Sequence, residues 1–347
     1  TCSEDGLKQR HCTVCYAAVG EAVVIEATGE HTYVWADNSG IFTAKCSVCG
    51  LENSMVEDDE EGAQIKVPAP SERTNIYVSV NGTGLGGFSP ESPLSDFDMA
   101  MKFAASAGAD ATIHIMDEIV IVQNNNGNGN YTFNEPTHTN KITIRGYGDT
   151  QAIFRHGGYV GVGDGANLVY RLFGPTAFEN IMFSTGGAPG KFYVLCEHNP
   201  VEFGENISAD MQRVVTSGPT SKLSVYGGCY DKSCGKSGAD ITIRSGNYND
   251  IVGGTVRATC GTEKPVNISI LGNITVNEFF VVGGFGAANK AASVSNANLL
   301  LDGELMVNQY FSAGSTGGDV SQTGNAGDVT IKIISGTIVA GSWSHTH

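Results

Sequence analysis

The feature that most constrains this fold is a unit that recurs. It reads "ITIRSGNYNDIVGG" at 241–254 and, more loosely, "VTIKIISGTIVAGS" at 329–342: a short strand, a glycine turn, a second short strand and more glycine. Aligning the glycine after each first strand gives Gly246, Gly272, Gly303 and Gly336, at separations of 26, 31 and 33 residues. Those are the step lengths of a solenoid coil. Within the units the apolar residues alternate, as in Ile241/Ile243, Val266/Ile268/Ile270 and Val329/Ile331/Ile333, while Thr242, Asn267, Ser269, Thr330 and Lys332 point the other way. A hairpin sheet would join neighbouring strands by two-residue turns. Here whole units recur, which predicts parallel stacking in which every coil covers the apolar row of the one before.

Composition supports the same class. Forty-six glycines among 347 residues, with 41% hydrophobic and 16% charged, describe a folded, turn-dense β chain with scarce helix. A formal charge of −16 disfavours nucleic acid and anionic membrane, which need a basic face, and suits solubility. No apolar run approaches the roughly 20 residues that span a bilayer, so membrane insertion is not expected. No charged-then-apolar leader precedes Thr1, and a secreted chain would have lost its signal before this numbering begins.

The chain divides into three parts. Residues 1–50 carry "HCTVC" and "KCSVCG", so Cys12/Cys15 and Cys46/Cys49 form two C-x2-C pairs. Four thiolates at that spacing suit tetrahedral zinc, which would staple a segment poor in large apolar side chains. In an oxidising compartment the same cysteines would form disulfides instead, and the sequence leaves both open. His31 and Cys2 are further candidate ligands. Residues 51–73 hold the acid run Glu57–Glu61 and "KVPAPSER", and read as a solvated connector. Residues 74–347 are the β-helix. Near its start a helix is expected over 95–107, with Ser95 as its cap and Phe97, Ala100, Met101 and Ala104 on one face, laid as a lid across the raw end of the first coil.

Two resemblances accompany these residues. "TCSEDG", "HCTVC", "EHTYVW" and "KCSVCG" together resemble a small module of secreted and surface proteins of Gram-positive bacteria, which implies location rather than activity. "IYVSVNGTGLGGFSPESPLSDFDMAMKFAASAGADATIHIMDEIVI" with "KITIRGYGDTQAIF" resembles the opening of right-handed parallel β-helix proteins of the pectin-lyase-like superfamily, and the later units look like the repeats of bacterial surface proteins on that fold. That scaffold carries lyases, hydrolases, adhesins and structural stalks alike. Its lyases cluster Asp around calcium with an Arg or Lys base, and its hydrolases pair Asp with downstream His and Arg or Lys. This chain departs from both patterns: Asp240, Asp250 and Asp302 stand apart, and the "RHGG" at 155–158 has no carboxylate pair close in sequence. Carboxylates can still converge from stacked coils, and an enzyme reading would turn first to Arg145, Arg155, His156 and Asp164.

The remaining chemistry-bearing residues are dispersed. Cys229 and Cys234 enclose a short loop fit for a disulfide, while Cys196 and Cys260 either pair across coils or pack as buried thiols. Glycosylation acceptors stand at Asn81, Asn130, Asn206, Asn267 and Asn273, a number this composition yields by chance. Tyr226, Tyr230, Tyr248 and Tyr310 are candidates to stack on sugars, and Asn124, Asn125 and Asn126 for an amide ladder or a sugar-contacting turn. The expectation is an all-β, right-handed parallel β-helix solenoid with an N-terminal capping helix and a cysteine ribbon. It is expected to be an extracellular, non-catalytic surface protein, adhesin-like or stacking head to tail into a fibre. Carbohydrate is a candidate ligand, and a polysaccharide-active enzyme is the alternative.

Overall fold

The computed structural model describes residues 69–341 apart from 83–85, 123, 126–130, 158–167, 188–189, 215–217, 230–237, 257–263, 287–291, 293 and 317–325. Ahead of them it describes residues 6–11, 13, 15, 18–25, 33–38, 41–47 and 52–54. Three ladders of parallel strands run through the described residues. The first stacks Asn75–Val78, Ala111–Ile115, Ile142–Gly146, Thr176–Glu179, Val201–Phe203, Ala239–Ile243, Val266–Ile270 and the leading parts of Ala297–Val307 and Val329–Ala340. The second begins with Glu118–Val122, Ala152–Gly157, Ile181–Ser184 and Ile207–Ala209. The third joins Tyr131–Asn134, Leu168–Arg171, Phe192–Leu195 and Leu223–Tyr226 to the trailing parts of Gly246–Val252 and Ile274–Val281, and ends at Tyr310–Ser312. Between Leu223 and Ala340 every strand pair among the described residues is parallel, so the chain winds as a parallel β-solenoid. Antiparallel pairing in the solenoid segment is local, at Met211–Val214 with Gly218–Ser221 and at Asn124–Asn125 with Tyr131 and Thr132.

The alternation read in the sequence becomes one continuous apolar column. Ile76, Ile113, Ile144, Phe178, Phe203, Ile243, Ile270, Leu301 and Ile333 follow one another in register down the first ladder. All but Ile333 are 0% exposed. Aromatic rings fill part of the column: Phe178 lies 5.2 Å from Phe183 and 5.3 Å from Phe203, centroid to centroid. Such contacts add to the burial of the rings themselves.

The glycines stack as well, with one correction. Gly303 pairs with Gly336, and a β-carbon on Gly303 would overlap the carbonyl oxygen of Gly272. A β-carbon on Gly272 would in turn meet the carbonyl oxygen of Arg244, whereas Gly246 pairs with Ile274. Gly246 therefore stands outside the column, because the preceding coil turns its corner through Arg244 and Ser245.

The expected helix is present over Phe97–Ala105. Its cap is Asp96, whose carboxylate accepts from the Met99 amide at 3.2 Å, and not Ser95. An anionic acceptor suits the positive end of a helix. Phe97, Ala100, Met101 and Ala104 are buried as the spacing requires, and Met99 and Phe103 join them. The helix lies against Asn75–Val78, Ala111–Ile115 and Glu118–Val122. In the first segment, Gly6–His11 pairs antiparallel with Ala18–Ile25, and Tyr33–Asn38, Ile41–Cys46 and Glu52–Ser54 form an antiparallel sheet. Glu52–Ser54 falls within the stretch read as a connector, and the acid run 57–61 lies outside the described residues.

Candidate functional site

In a solenoid the inward residues of each strand build the core, and the outward ones form rows running along the rod. The outward face of the third ladder is unusual because it is largely apolar. One row aligns Tyr193, Ser224, Asp250, Phe279 and Tyr310, and its neighbour aligns Leu195, Tyr226, Val252 and Val281. Apart from Ser224 and Asp250, these side chains join Val169, Val256 and Phe285 in a second hydrophobic cluster outside the core column.

A cleft of about 170 Å³ opens on this face, lined by Lys191, Tyr193, Tyr226, Asp250, Val252, Val256, Glu278, Phe279 and Phe285. Asp250 is its most buried charged group, at 4% exposure. Its Oδ2 accepts from Ser224 Oγ at 2.9 Å and from the Tyr226 hydroxyl at 3.5 Å, and Lys191 Nζ stands 3.5 Å away. The same ammonium donates to Glu278 Oε2 at 3.0 Å, across 87 residues of sequence. Asp250 Oδ1 is buried, and the Asn249 side chain hydrogen-bonds the same carboxyl group. Burial raises the Asp250 pKa; Lys191 opposes the rise and Glu278 adds to it. The aromatic walls are set by Tyr193 against Tyr226, 5.4 Å between centroids, and by Phe279 against Phe285 at 5.1 Å. A carboxylate, a lysine and aromatic faces converge here from strands that are far apart in the chain.

A second buried polar cluster is satisfied and reads as structure. Glu135 accepts from the Tyr170 hydroxyl at 2.8 Å, the Phe173 amide at 3.2 Å and Thr176 Oγ1 at 3.2 Å, and lies 3.3 Å from His138 Nε2. Burial opposes charge on the His138 ring. The Glu135 carboxylate and a 2.9 Å bond to the Asn140 carbonyl outweigh it, and the pKa rises.

Of the residues singled out in the sequence, few meet. Tyr226 lines the cleft, and Tyr310 packs beside it, 6.1 Å from Phe279. Tyr248 is a core residue at 0% exposure, with its hydroxyl on the Ser245 carbonyl. Asp250, read as isolated, is the centre of the cleft, since its partners come from other coils. Asp240 and Asp302 accept from Asn267 and Ser335 respectively. The candidate enzyme residues do not converge: Arg145 pairs with Glu179 and Arg155 with Glu118, while burial takes the His156 pKa down to about 3. An amide ladder is present elsewhere, while the side chains of Asn124, Asn125 and Asn126 lie outside what the structure describes. Asn298 donates to Asn267 at 2.9 Å and Asn267 to Asp240 at 2.7 Å. That ladder uses the Asn267 amide nitrogen, the atom a glycan would take. Asn81, Asn206 and Asn273 are exposed.

Cys229 is disulfide-bonded, and of the two readings open for Cys196, a bridge across coils or a buried thiol, the structure has the buried free thiol. A side chain aimed into a packed column has its volume used by its neighbours, and burial raises that thiol's pKa. Cys15 and Cys46 are free thiols. Cys2, Cys12, Cys49, Cys234, Cys260, His31, Asn126, Asn130, Asp164 and Tyr230 lie outside the described residues. No local pattern singles out Lys191, Glu278, Phe279 and Phe285; only the coil register aligns them. No family model, no curated protein and no solved structure matches this chain.

Proposed function

We propose that this chain is a non-catalytic extracellular structural protein, an adhesin-like solenoid that associates with a second copy through the strand Val329–Ala340. One observation carries the reading: the apolar row of this strand calls for a further covering strand, which a second copy or a following coil would each provide. Val329, Ile331 and Ile333 are 45%, 42% and 53% exposed, whereas their partners Ala297, Leu299 and Leu301 are at most 1% exposed. Covering a half-exposed isoleucine contributes on the order of 1 kcal/mol, and the edge also offers a row of backbone donors and acceptors. The opposite edge is occupied, since the Tyr77 amide donates to Gly87 and the Ser79 amide to Leu94, and the helix Phe97–Ala105 packs against the strand Asn75–Val78. Two copies sharing the Val329–Ala340 edge about a two-fold axis would cover both apolar rows at once. The disulfide at Cys229 supports an oxidising, extracellular setting.

Sedimentation of the 347-residue chain tests this reading. A pair is expected, converted to monomer by Ile331→Lys with Ile333→Lys. A wild-type chain that stays monomeric at high concentration sinks the idea. The polysaccharide-active alternative gains nothing from Arg145, Arg155 and His156, which are tied elsewhere. Release of reducing ends from acidic polysaccharide would revive it.

A further inference from the structure

Lys191, Asp250 and Glu278 stand on three different coils and meet in the cleft. Lys191 Nζ is 3.5 Å from Asp250 Oδ2 and 3.0 Å from Glu278 Oε2. Down this face the register runs Tyr193, Ser224, Asp250, Phe279, so Lys191, two residues ahead of Tyr193, reaches past the coil of Leu223–Tyr226 to the two coils beyond it. An ion pair explains the arrangement poorly. Two carboxyl groups face one ammonium, and taking a charged pair out of water costs about as much as its attraction returns. The Asp250 side chain is 6% exposed, and burial raises its pKa, with Glu278 adding to the rise. An acid held beside an amine in a dry, fixed geometry is the pair from which an amide forms.

We propose that Lys191 and Asp250 condense into an isopeptide bond, with Glu278 as the group that carries the protons. The Nζ–Cγ bond forms and one Cγ–Oδ bond breaks. Two of the three ammonium protons pass by way of the Glu278 carboxylate to the departing oxygen, which leaves as water, and the third stays on the amide nitrogen. Glu278 ends as it began, and no oxidant, reductant or second substrate is required. Desolvation beside a proton acceptor makes a lysine amine nucleophilic, and here Tyr193, Tyr226, Phe279 and Phe285 wall the cleft. Fixed contact replaces the rare encounter of a free amine with a free acid, and the bond exchanges two desolvated charges for a neutral amide. Ser224 Oγ and the Tyr226 hydroxyl hold Oδ2 in place. Lys191 and Glu278 are 26% and 28% exposed, so the released water has an exit. The reaction occurs once per chain and on the chain itself, which leaves the non-catalytic reading and the edge pairing untouched. The linked chain has lost both charges, so the pH dependence of a free Asp250 carboxylate belongs to the unlinked chain.

Intact-mass spectrometry of the whole chain, denatured and with its disulfides reduced, tests the proposal. The wild type is expected to be lighter than its sequence mass by one water, and proteolysis to yield a branched peptide joining the stretch around Lys191 to the stretch around Asp250. Lys191→Arg keeps the positive charge but offers no amine, and is expected at full mass, as is Asp250→Ala. Glu278→Gln leaves the amine and the acid in place but removes the proton carrier, and is expected to be mostly at full mass. Circular dichroism establishes that the variants fold, and Lys191→Arg should melt below the wild type because its coils are no longer tied. A wild type at full sequence mass with no branched peptide overturns the proposal, whichever variants fold. So does a water deficit that persists in Lys191→Arg, and a Glu278→Gln chain linked as fully as the wild type removes Glu278 from it.

Discussion

At Gly303 the backbone of one coil touches the backbone of the next, and no side chain fits between them. Its φ of 151° and the carbonyl of Gly272 directly behind it leave the position to glycine. Gly303→Ala is expected to lower stability by ~2–4 kcal/mol, combining strain with overlap against backbone. Gly108→Ala is the comparison. That residue has φ 70° but open space around the would-be β-carbon, so strain alone applies and the loss should be about 1 kcal/mol. Thermal melting of the two variants checks the order, and equal losses would mean that the glycine column contributes no contact constraint.

His138 supplies a second test on the same scale. Its pKa is raised in the folded chain, so the native state holds the proton more tightly than the unfolded chain does. The contribution is fully present below the ordinary histidine value of about 6.5 and is lost as pH rises through the folded value. Melting temperatures of the wild type and His138→Gln should therefore differ more at about pH 5.5 than at about pH 8.5. A gap that widens with pH would contradict the Glu135 assignment. Asp250 runs in the same direction for a different reason: burial raises its pKa, so the carboxylate weighs against stability once pH passes that value.

Among the elements, the cysteine-bearing segment stands apart from the solenoid in its chemistry. We propose that Cys12, Cys15, Cys46 and Cys49 hold zinc, since coordination would keep their thiolates from the oxidation that bridges Cys229 in the same setting. The free thiols at Cys15 and Cys46 fit a thiolate site, and the other two lie outside the described residues. Elemental analysis is expected to find about one zinc per chain, and chelation should expose four titratable thiols. Absence of zinc together with absence of those thiols would assign disulfides. The helix Phe97–Ala105 shows how far an element can be read ahead. Its 3.6-residue apolar spacing marked its buried face, but Asp96 and Ser95 are both competent caps, and only the turn geometry chose Asp96.

For the whole molecule, a charge of −16 means that two copies repel before they touch. If the Val329–Ala340 edges pair by apolar contact, added salt should screen the repulsion and raise the paired fraction. Sedimentation between about 0.05 and 0.5 M salt reads this, and dissociation by salt would point to ion pairs instead.

The solenoid was legible in the chain because a strand with one buried face must alternate, and a coil must repeat its alternation and its glycine corner at one step length. The alternation of Ile241, Ile243, Val266, Ile268 and Ile270 therefore marks the core by itself, and all five are buried. The cleft was not legible, since stacking sets Asp250 beside Ser224, Lys191 and Glu278, from separate coils, through a register that loops of unequal length alone determine. Local periodicity decides which way a side chain faces; the winding of the chain decides which side chain it meets.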